Sequence, residues 1–358
     1  MGTKHRLVAA AIGLALAAAG AVGIETPAQA AVPDGHGFVQ WNGATTVPSG
    51  TWPPATTVTP FGGGFYEVVF PGQAAKGGVV HVTAINGRPV WCQALKWGFS
   101  GADQIVYIGC FRPGGFGIDS PFTAVFTSSS PPDGVPGLYG YVHAEANTAI
   151  VSEYNSVFGT GNSVTSSATG EYEVRFRGLG TRGPNDGSLQ LTVANSSAAA
   201  HCEIAKWNSN SLSQDVLVFC FDGSGAPVDT GFSLTYQLER SLFGSAFPPK
   251  FFGYIWNMPP PPAPNPGPAT TNFNSQLGLG ANALVSSGAG LTLVGFRALA
   301  QRPDTVQVTA NGHSGEFCNL QAPWTYSGTT VVVRNVACYN AGGGRVDTGS
   351  FTGYNSEF

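Results

Sequence analysis

The feature that most constrains this chain is that it carries one pattern three times. "GHGFVQW", "LYGYVHA" and "FFGYIWN" each contain a glycine, an aromatic and a β-branched residue: Gly37-Phe38-Val39, Gly140-Tyr141-Val142 and Gly253-Tyr254-Ile255. The same order follows each time. "GFYEVVFPG", "GEYEVRFRGL" and "GLTLVGFRAL" are succeeded by "VVHVTA", "LQLTVA" and "VQVTA", and then by "CQALKW", "CEIAKW" and "CNLQAPW". "IVYIGCF", "VLVFCF" and "VVRNVACY" come next, and "GIDSPF", "PVDTGF" and "RVDTGSF" lead into a last apolar strand. Corresponding cysteines recur 110–118 residues apart, a period of whole domains rather than of short solenoid units.

The repeat also sorts the six cysteines. Each copy holds two, and a domain that folds on its own should close its own bridge, giving Cys92–Cys110, Cys202–Cys220 and Cys318–Cys338. Loops of this length contribute roughly 3 kcal/mol each in the chain-entropy account. Metal binding by these thiols would need clustered ligands such as C-x2-C, which the chain lacks.

Within a copy the hydrophobic period is two. Tyr172, Val174 and Phe176 alternate with Glu173, Arg175 and Arg177; Tyr66, Val68 and Phe70 keep the same register, as do Val294 and Phe296, with Thr292 in first place. Six or seven such runs per copy, separated by Gly, Pro, Asn and Ser clusters, predict an all-β protein: three tandem antiparallel β-sandwiches of immunoglobulin-like size, bead-like, each with one internal disulfide. Strand order stays open. The expected boundaries are module 1 at 31–127, a stiff linker at 128–136, module 2 at 137–240 and module 3 at 241–358. The proline-rich run at 259–268 follows Tyr254-Ile255-Trp256 closely, so it reads as an extended loop inside module 3.

Residues 1–30 read as a secretory signal peptide. Lys4, His5 and Arg6 precede an apolar run that ends at Ala28-x-Ala30. No second apolar stretch of about 18 residues occurs, so no membrane insertion of the mature chain is expected. Without Lys4, Arg6 and Glu25 the chain has 14 basic and 19 acidic residues, a net charge of −5. The absence of clustered Lys and Arg argues against nucleic-acid partners, and no cofactor is implied. The expected location is extracellular, either free or at the cell surface.

Candidates for chemistry are few. "NGHSGEFC" places Ser314 in a setting faintly like the G-D-S-G-G of a trypsin-like nucleophile, but Glu316 stands where the second glycine belongs. Module 1 has "INGRPVWC" at the same place, so Asn-Gly and Ser314 read as a tight turn. His36, His81, His143, His201 and His313 do not recur at one place in all three copies and show no metal-ligand spacing. Asp119, Asp229 and Asp347 do recur, each nine residues beyond the second cysteine. They read as acceptors of backbone N–H groups in turns rather than as calcium ligands, since no acidic loop surrounds them. No two acids stand out as a glycosidase pair.

Trp97, Trp207 and Trp324 follow the first cysteine at five, five and six residues and read as core packing, although odd spacing on an uninterrupted strand would set Cys and Trp on opposite faces. Trp41, Trp52, Trp91 and Trp256 do not repeat and read as candidate ligand contacts, Trp52 and Trp256 above all because of the nearby proline-rich loops.

The combined pattern G-[FY]-V, Y-x-V-x-F, V-x-V-T, C-x5-W, C-F and D-x-x-F resembles secreted, repeat-built actinobacterial proteins without established activity. The resemblance spans residue 37 to the C-terminus. It implies an exported β-protein and, its motifs being fold-forming, supplies no functional residues. The leading expectation is therefore a non-enzymatic extracellular binding or adhesion protein making multivalent, weak contact with a cell-wall polymer, polysaccharide or surface protein. A structural matrix protein and a hydrolase with a dispersed site are the alternatives.

Overall fold

The computed structural model describes residues 35–129, 135–181, 183, 185–244, 250–258 and 265–358. The leader read at 1–30, residues 130–134 of the first linker and residues 259–264 of the proline-rich run lie outside these.

Module 1 comprises β1 (Gly35–Trp41), β2 (Thr57–Gly62), β3 (Phe65–Phe70), β4 (Val79–Ala84), β5 (Trp91–Ser100), β6 (Asp103–Arg112), β7 (Phe116–Gly117) and β8 (Phe122–Ser128). Module 2 comprises β9 (Leu138–Ala144), β10 (Ile150–Asn155), β11 (Ser163–Ala168), β12 (Glu171–Arg177), β13 (Ser188–Val193), β14 (Ala200–Ser209), β15 (Ser213–Asp222) and β16 (Phe232–Leu238). Module 3 comprises β17 (Phe252–Asn257), β18 (Asn272–Asn274), β19 (Gly278–Leu279), β20 (Ala283–Gly288) and β21 (Leu291–Phe296), then β22 (Asp304–Asn311), β23 (Phe317–Leu320), β24 (Thr325–Ser327), β25 (Thr330–Tyr339) and β26 (Gly349–Ser356).

Each module is a sandwich of two antiparallel sheets. The outer sheets run β2-β3-β6-β5, β11-β12-β15-β14 and β20-β21-β25-β23. The inner sheets are built on β1-β8-β4, β9-β16-β13 and β17-β26-β22. The alternation read from sequence fills the space between them: Tyr66, Val68 and Phe70, Tyr172, Val174 and Phe176, and Val294 and Phe296 are all buried, whereas Glu173, Arg175 and Arg177 face water. All three expected disulfides are present. Each joins directly opposed residues on neighbouring strands of one outer sheet, Cys92 facing Cys110, Cys202 facing Cys220 and Cys318 facing Cys338. An immunoglobulin bridge spans two sheets, so the likeness to that fold is one of size and layers.

The three recurring aspartates each fasten a hairpin. Asp119, Asp229 and Asp347 accept the N–H of Gly64, Gly170 and Gly290, at 2.7, 2.8 and 2.5 Å. Those glycines turn β2 into β3, β11 into β12 and β20 into β21 at φ +87°, +72° and +63°. A Cβ there would lie 2.5–2.9 Å from the carbonyl oxygen of Cys110, Cys220 or Cys338, so both backbone conformation and space require glycine. The aspartate's role is structural, but the turn it holds lies more than 50 residues earlier than its own.

The bead-like arrangement expected from sequence is not what the chain forms. β4, β13 and β22 are buried along their whole length, on both faces, because each inner sheet packs one face on its own sandwich and the other on its neighbours. A pseudo-threefold ring of hydrogen bonds joins them. Val82 N–H donates to Thr192 Oγ1 (3.1 Å), Leu191 N–H to Thr309 Oγ1 (2.9 Å) and Val308 N–H to Thr83 Oγ1 (2.9 Å). A second ring uses the residue after each first cysteine. Gln93 bonds the turn at Asn195, Ala198 and Ala200 of module 2; Glu203 accepts the N–H of Gly315 and Glu316 of module 3; Asn319 donates to Arg88 and Val90 of module 1. One residue further on, Ala94, Ile204 and Leu320 make parallel bridges to Ala194, Asn311 and Ile85. The residues before the cysteines, Trp91, His201 and Phe317, converge with ring centroids 5.0–5.3 Å apart.

The described part of the connection from module 2 to module 3, up to residue 244, is also built in. Leu242 and Phe243 are fully buried with Phe38 and Val125 of module 1, and the Phe243 ring stacks on Phe38 at 5.5 Å. His36 and Glu357, near the two ends of the described chain, pair at 2.8 Å.

Candidate functional site

The pseudo-threefold arrangement creates three equivalent clefts, each where the Trp-bearing end of one module's outer sheet meets the inner sheet of the next. Their contents differ. Between modules 2 and 3 the cleft is filled from within. Trp256 and Phe351, opposed across β17 and β26, meet Trp207 edge-on at 5.5 and 5.1 Å, and Trp256 Nε1 donates to Asn311 Oδ1 at 2.8 Å. Between modules 3 and 1 lies a cleft of about 340 Å³ walled by Trp41, Ile85, Pro121, Ala322 and Pro323. Its Asn86 and Gln321 amides are occupied by Ser120, Arg88 and Asn335. Trp324 turns into its own module, where Nε1 donates to the buried Asp304 at 2.9 Å.

Between modules 1 and 2 the cleft is open. Here the positions of Trp256 and Phe351 are taken by the smaller, polar His143 and Ser233, opposed across β9 and β16. The result is a groove of about 490 Å³ whose lining includes Trp97, His143, Glu145, Asn195, Ser197 and Asp229, within the roughly 300–1,000 Å³ typical of small-molecule sites. Trp97 is only part-buried, whereas Trp207 and Trp324 are 4% and 5% exposed. Its indole edge is fixed by Nε1 donating to Gly77 O at 3.2 Å, and the His143 ring lies against it with centroids 4.2 Å apart. Burial pushes His143 down to about 4, so the imidazole is neutral at ordinary pH. Asn195 is held by Thr230 and Ser197, which makes the turn over the groove rigid.

All three repeated tryptophans join the clusters that hold the disulfides, Trp97 at the edge. In β5 and β14 a bulge after Ala94 and after Ile204 inserts one residue, so an odd spacing still brings Cys and Trp to the same face. Of the four tryptophans expected to contact ligand, Trp41, Trp91 and Trp256 are 4%, 5% and 6% exposed and spend their faces on packing inside the protein. Trp52 is part-buried against the Phe38 cluster, its backbone paired with Phe38 at 2.8 Å in both directions. None of these four lines the open groove. The groove residues left no motif in the sequence. Their signal was a contrast between copies: an invariant tryptophan whose partner, three residues after the first glycine, changes from Gln40 to His143 to Trp256.

Other candidates resolve into structure. Ser314 sits exposed in a turn whose N–H groups, at His313 and Ser314, bond Glu316 Oε2. A close pair of carboxyl groups, Glu203 and Glu316, is committed to backbone N–H groups at the module 2–3 interface. Among the described residues no group of three or more His, Cys, Asp and Glu could hold a metal ion, and no helix is long and apolar enough to cross a membrane. No protein-family model, curated protein or solved structure matches the chain.

Proposed function

We propose that this is a secreted, non-catalytic binding protein that takes a sugar ring of an extracellular polymer in the groove between modules 1 and 2. The observation that carries the reading is the exposure of Trp97 alone among three equivalent tryptophans, on the floor of a groove rimmed by Glu145, Asn195 and Ser197. A flat indole stacks on the apolar face of a pyranose, and a polar rim meets its hydroxyls. The cleft between modules 2 and 3 supports the same reading from inside the molecule, since there a flat ring of the chain's own, Trp256, occupies the equivalent space against Trp207. Three disulfides and the leader expected at 1–30 agree with export. Of the two clefts not filled by the chain's own rings, only this one has a part-exposed tryptophan, Trp41 of the other being 4% exposed. The reading therefore gives one site per chain in place of three, and avidity between modules has no part in it.

The test is retention of the oxidised chain on peptidoglycan, chitin and cellulose, with albumin as control. Retention on a polymer, lost in Trp97→Ala and kept in Trp52→Ala, supports the groove. Retention on none, or retention that Trp97→Ala leaves unchanged, removes it.

A further inference from the structure

Resting on the reading of the groove as a saccharide site, we infer that its ligand is an amino sugar, whose protonated amine is held between the Trp97 ring and the carboxylates of Glu145 and Asp229. The charged or titratable side chains that line the groove are Lys96, His143, Glu145 and Asp229. Lys96 is directed elsewhere: its ammonium lies 4.7 Å over the centroid of Tyr107. His143 is part-buried and lies tilted against Trp97, neutral for want of solvent, and supplies no positive charge. Glu145 is exposed at the rim and has no ion-pair partner among the described residues. Asp229 uses Oδ1 to hold Gly170, and Oδ2 takes no part in that bond.

The groove therefore presents an aromatic face and two carboxylates with no cation of the protein's own committed between them. An ammonium answers both: it is drawn to the face of an indole and forms charge-assisted hydrogen bonds with carboxylates. A neutral or N-acetylated ring would stack on Trp97 but bring no positive charge to the two carboxylates. The stiff turn at Asn195–Ser197 and the fixed Trp97 edge keep this arrangement in place before the ligand arrives, which limits the ordering needed on binding.

Calorimetric titration of the oxidised chain with chitosan tetraose and with its fully N-acetylated counterpart tests this, at mildly acid pH where the amines are protonated. The free-amine form should bind about tenfold or more tightly, about one decade per charged hydrogen bond gained. The advantage should shrink in about 1 M salt. It should vanish in Glu145→Gln, an exposed position where the amide keeps a polar rim but carries no charge. Equal affinity for the two forms overturns the amino-sugar inference and leaves the saccharide reading standing. A preference that persists in Glu145→Gln also overturns it. Binding to neither form, with or without Trp97, removes the groove as a saccharide site altogether.

Discussion

Glu203→Gln is the sharpest perturbation of the joint between modules. Glu203 occupies the place where the other two modules carry the amides Gln93 and Asn319, and all three reach across to the next module's turn. It is fully buried, both its oxygens accept backbone N–H groups, and Glu316 stands beside it. Burial, then the hydrogen bond and charge of Glu316, push its carboxyl up to about 9. At neutral pH it is a protonated acid, the nearest thing to an amide that a glutamate offers. In the unfolded chain it returns to about 4.5. A folded pKa above the unfolded one means that the stabilisation is complete below about pH 4.5 and is lost as pH rises through about 9. Midway between, the folded state holds one extra proton and stability falls by about 1.4 kcal/mol per pH unit. Between about pH 7.5 and about 8.5 any other group that titrates does so in both proteins, so the difference between them isolates Glu203. Urea denaturation at those two values should show the parent losing about 1 kcal/mol more than Glu203→Gln. Parallel losses in the two proteins would refute the protonated-acid account, as would a glutamine variant destabilised equally at every pH.

Three further outcomes are expected. Burial holds His201 down at about 4 against its ordinary 6.5, so the stability that its neutral form supports is present above about pH 6.5 and lost as pH falls toward 4. His201→Phe, the residue module 3 uses there, should gain on the parent by about 1.4 kcal/mol for each unit that pH falls between about 6 and 4.5 in urea melts. Thr309→Val leaves the Leu191 N–H and Gln190 Oε1 without their 2.9 and 3.1 Å partner, and should cost about 1–3 kcal/mol in urea denaturation. Gly170→Ala forces a Cβ to 2.5 Å from Cys220 O at φ +72° and should lower stability by more than about 1 kcal/mol, whereas alanine at Gly161, which has a similarly positive φ but open space, should cost less.

What sequence revealed here and what it hid follow from the range of the interactions. The period-two runs, the turn glycines and the paired cysteines act within one module, and each copy repeats them, so comparing copies was enough to read the sandwiches and the bridges. The faces that join the modules were written in the same letters as a wet surface. In "VVHVTA", "LQLTVA" and "VQVTA" the second face carries His81, Gln190 and Gln307 with Thr83, Thr192 and Thr309, polar residues that would serve equally well in water. They are buried because each threonine hydroxyl meets a backbone N–H of the next module, a partner more than 100 residues away that no local pattern encodes. Buried polar groups need such partners, and only the closed ring supplies them. Trp91 was misread for the same reason: its neighbours His201 and Phe317 belong to other copies, and an aromatic ring at one position in three modules looks like three unrelated choices until the axis brings them together.

A ring made from one chain can differ at each joint, which a ring of identical subunits cannot do. Trp256 closes the joint between modules 2 and 3, while the smaller His143 at the same place leaves a groove between modules 1 and 2. Ser233, opposite His143, is fully buried and its hydroxyl accepts the Val80 N–H at 3.4 Å. Transferring the tryptophan alone, as His143→Trp, should therefore fill the groove with a ring of the chain's own and bury Trp97 as Trp207 is buried. Burying one larger ring in the groove should leave stability at or above that of the parent, since a fully buried large apolar side chain contributes about 1.5–3 kcal/mol. Exchange of ligand would be abolished without touching Glu145, Asn195 or Asp229. The measurements are polymer retention and the accessibility of Trp97 fluorescence to iodide quenching. Loss of both, with urea stability preserved, is the expected result. A variant that still binds would mean that the ligand does not use the space between Trp97 and the inner sheet of module 2, and that the difference among the three joints has some cause other than binding.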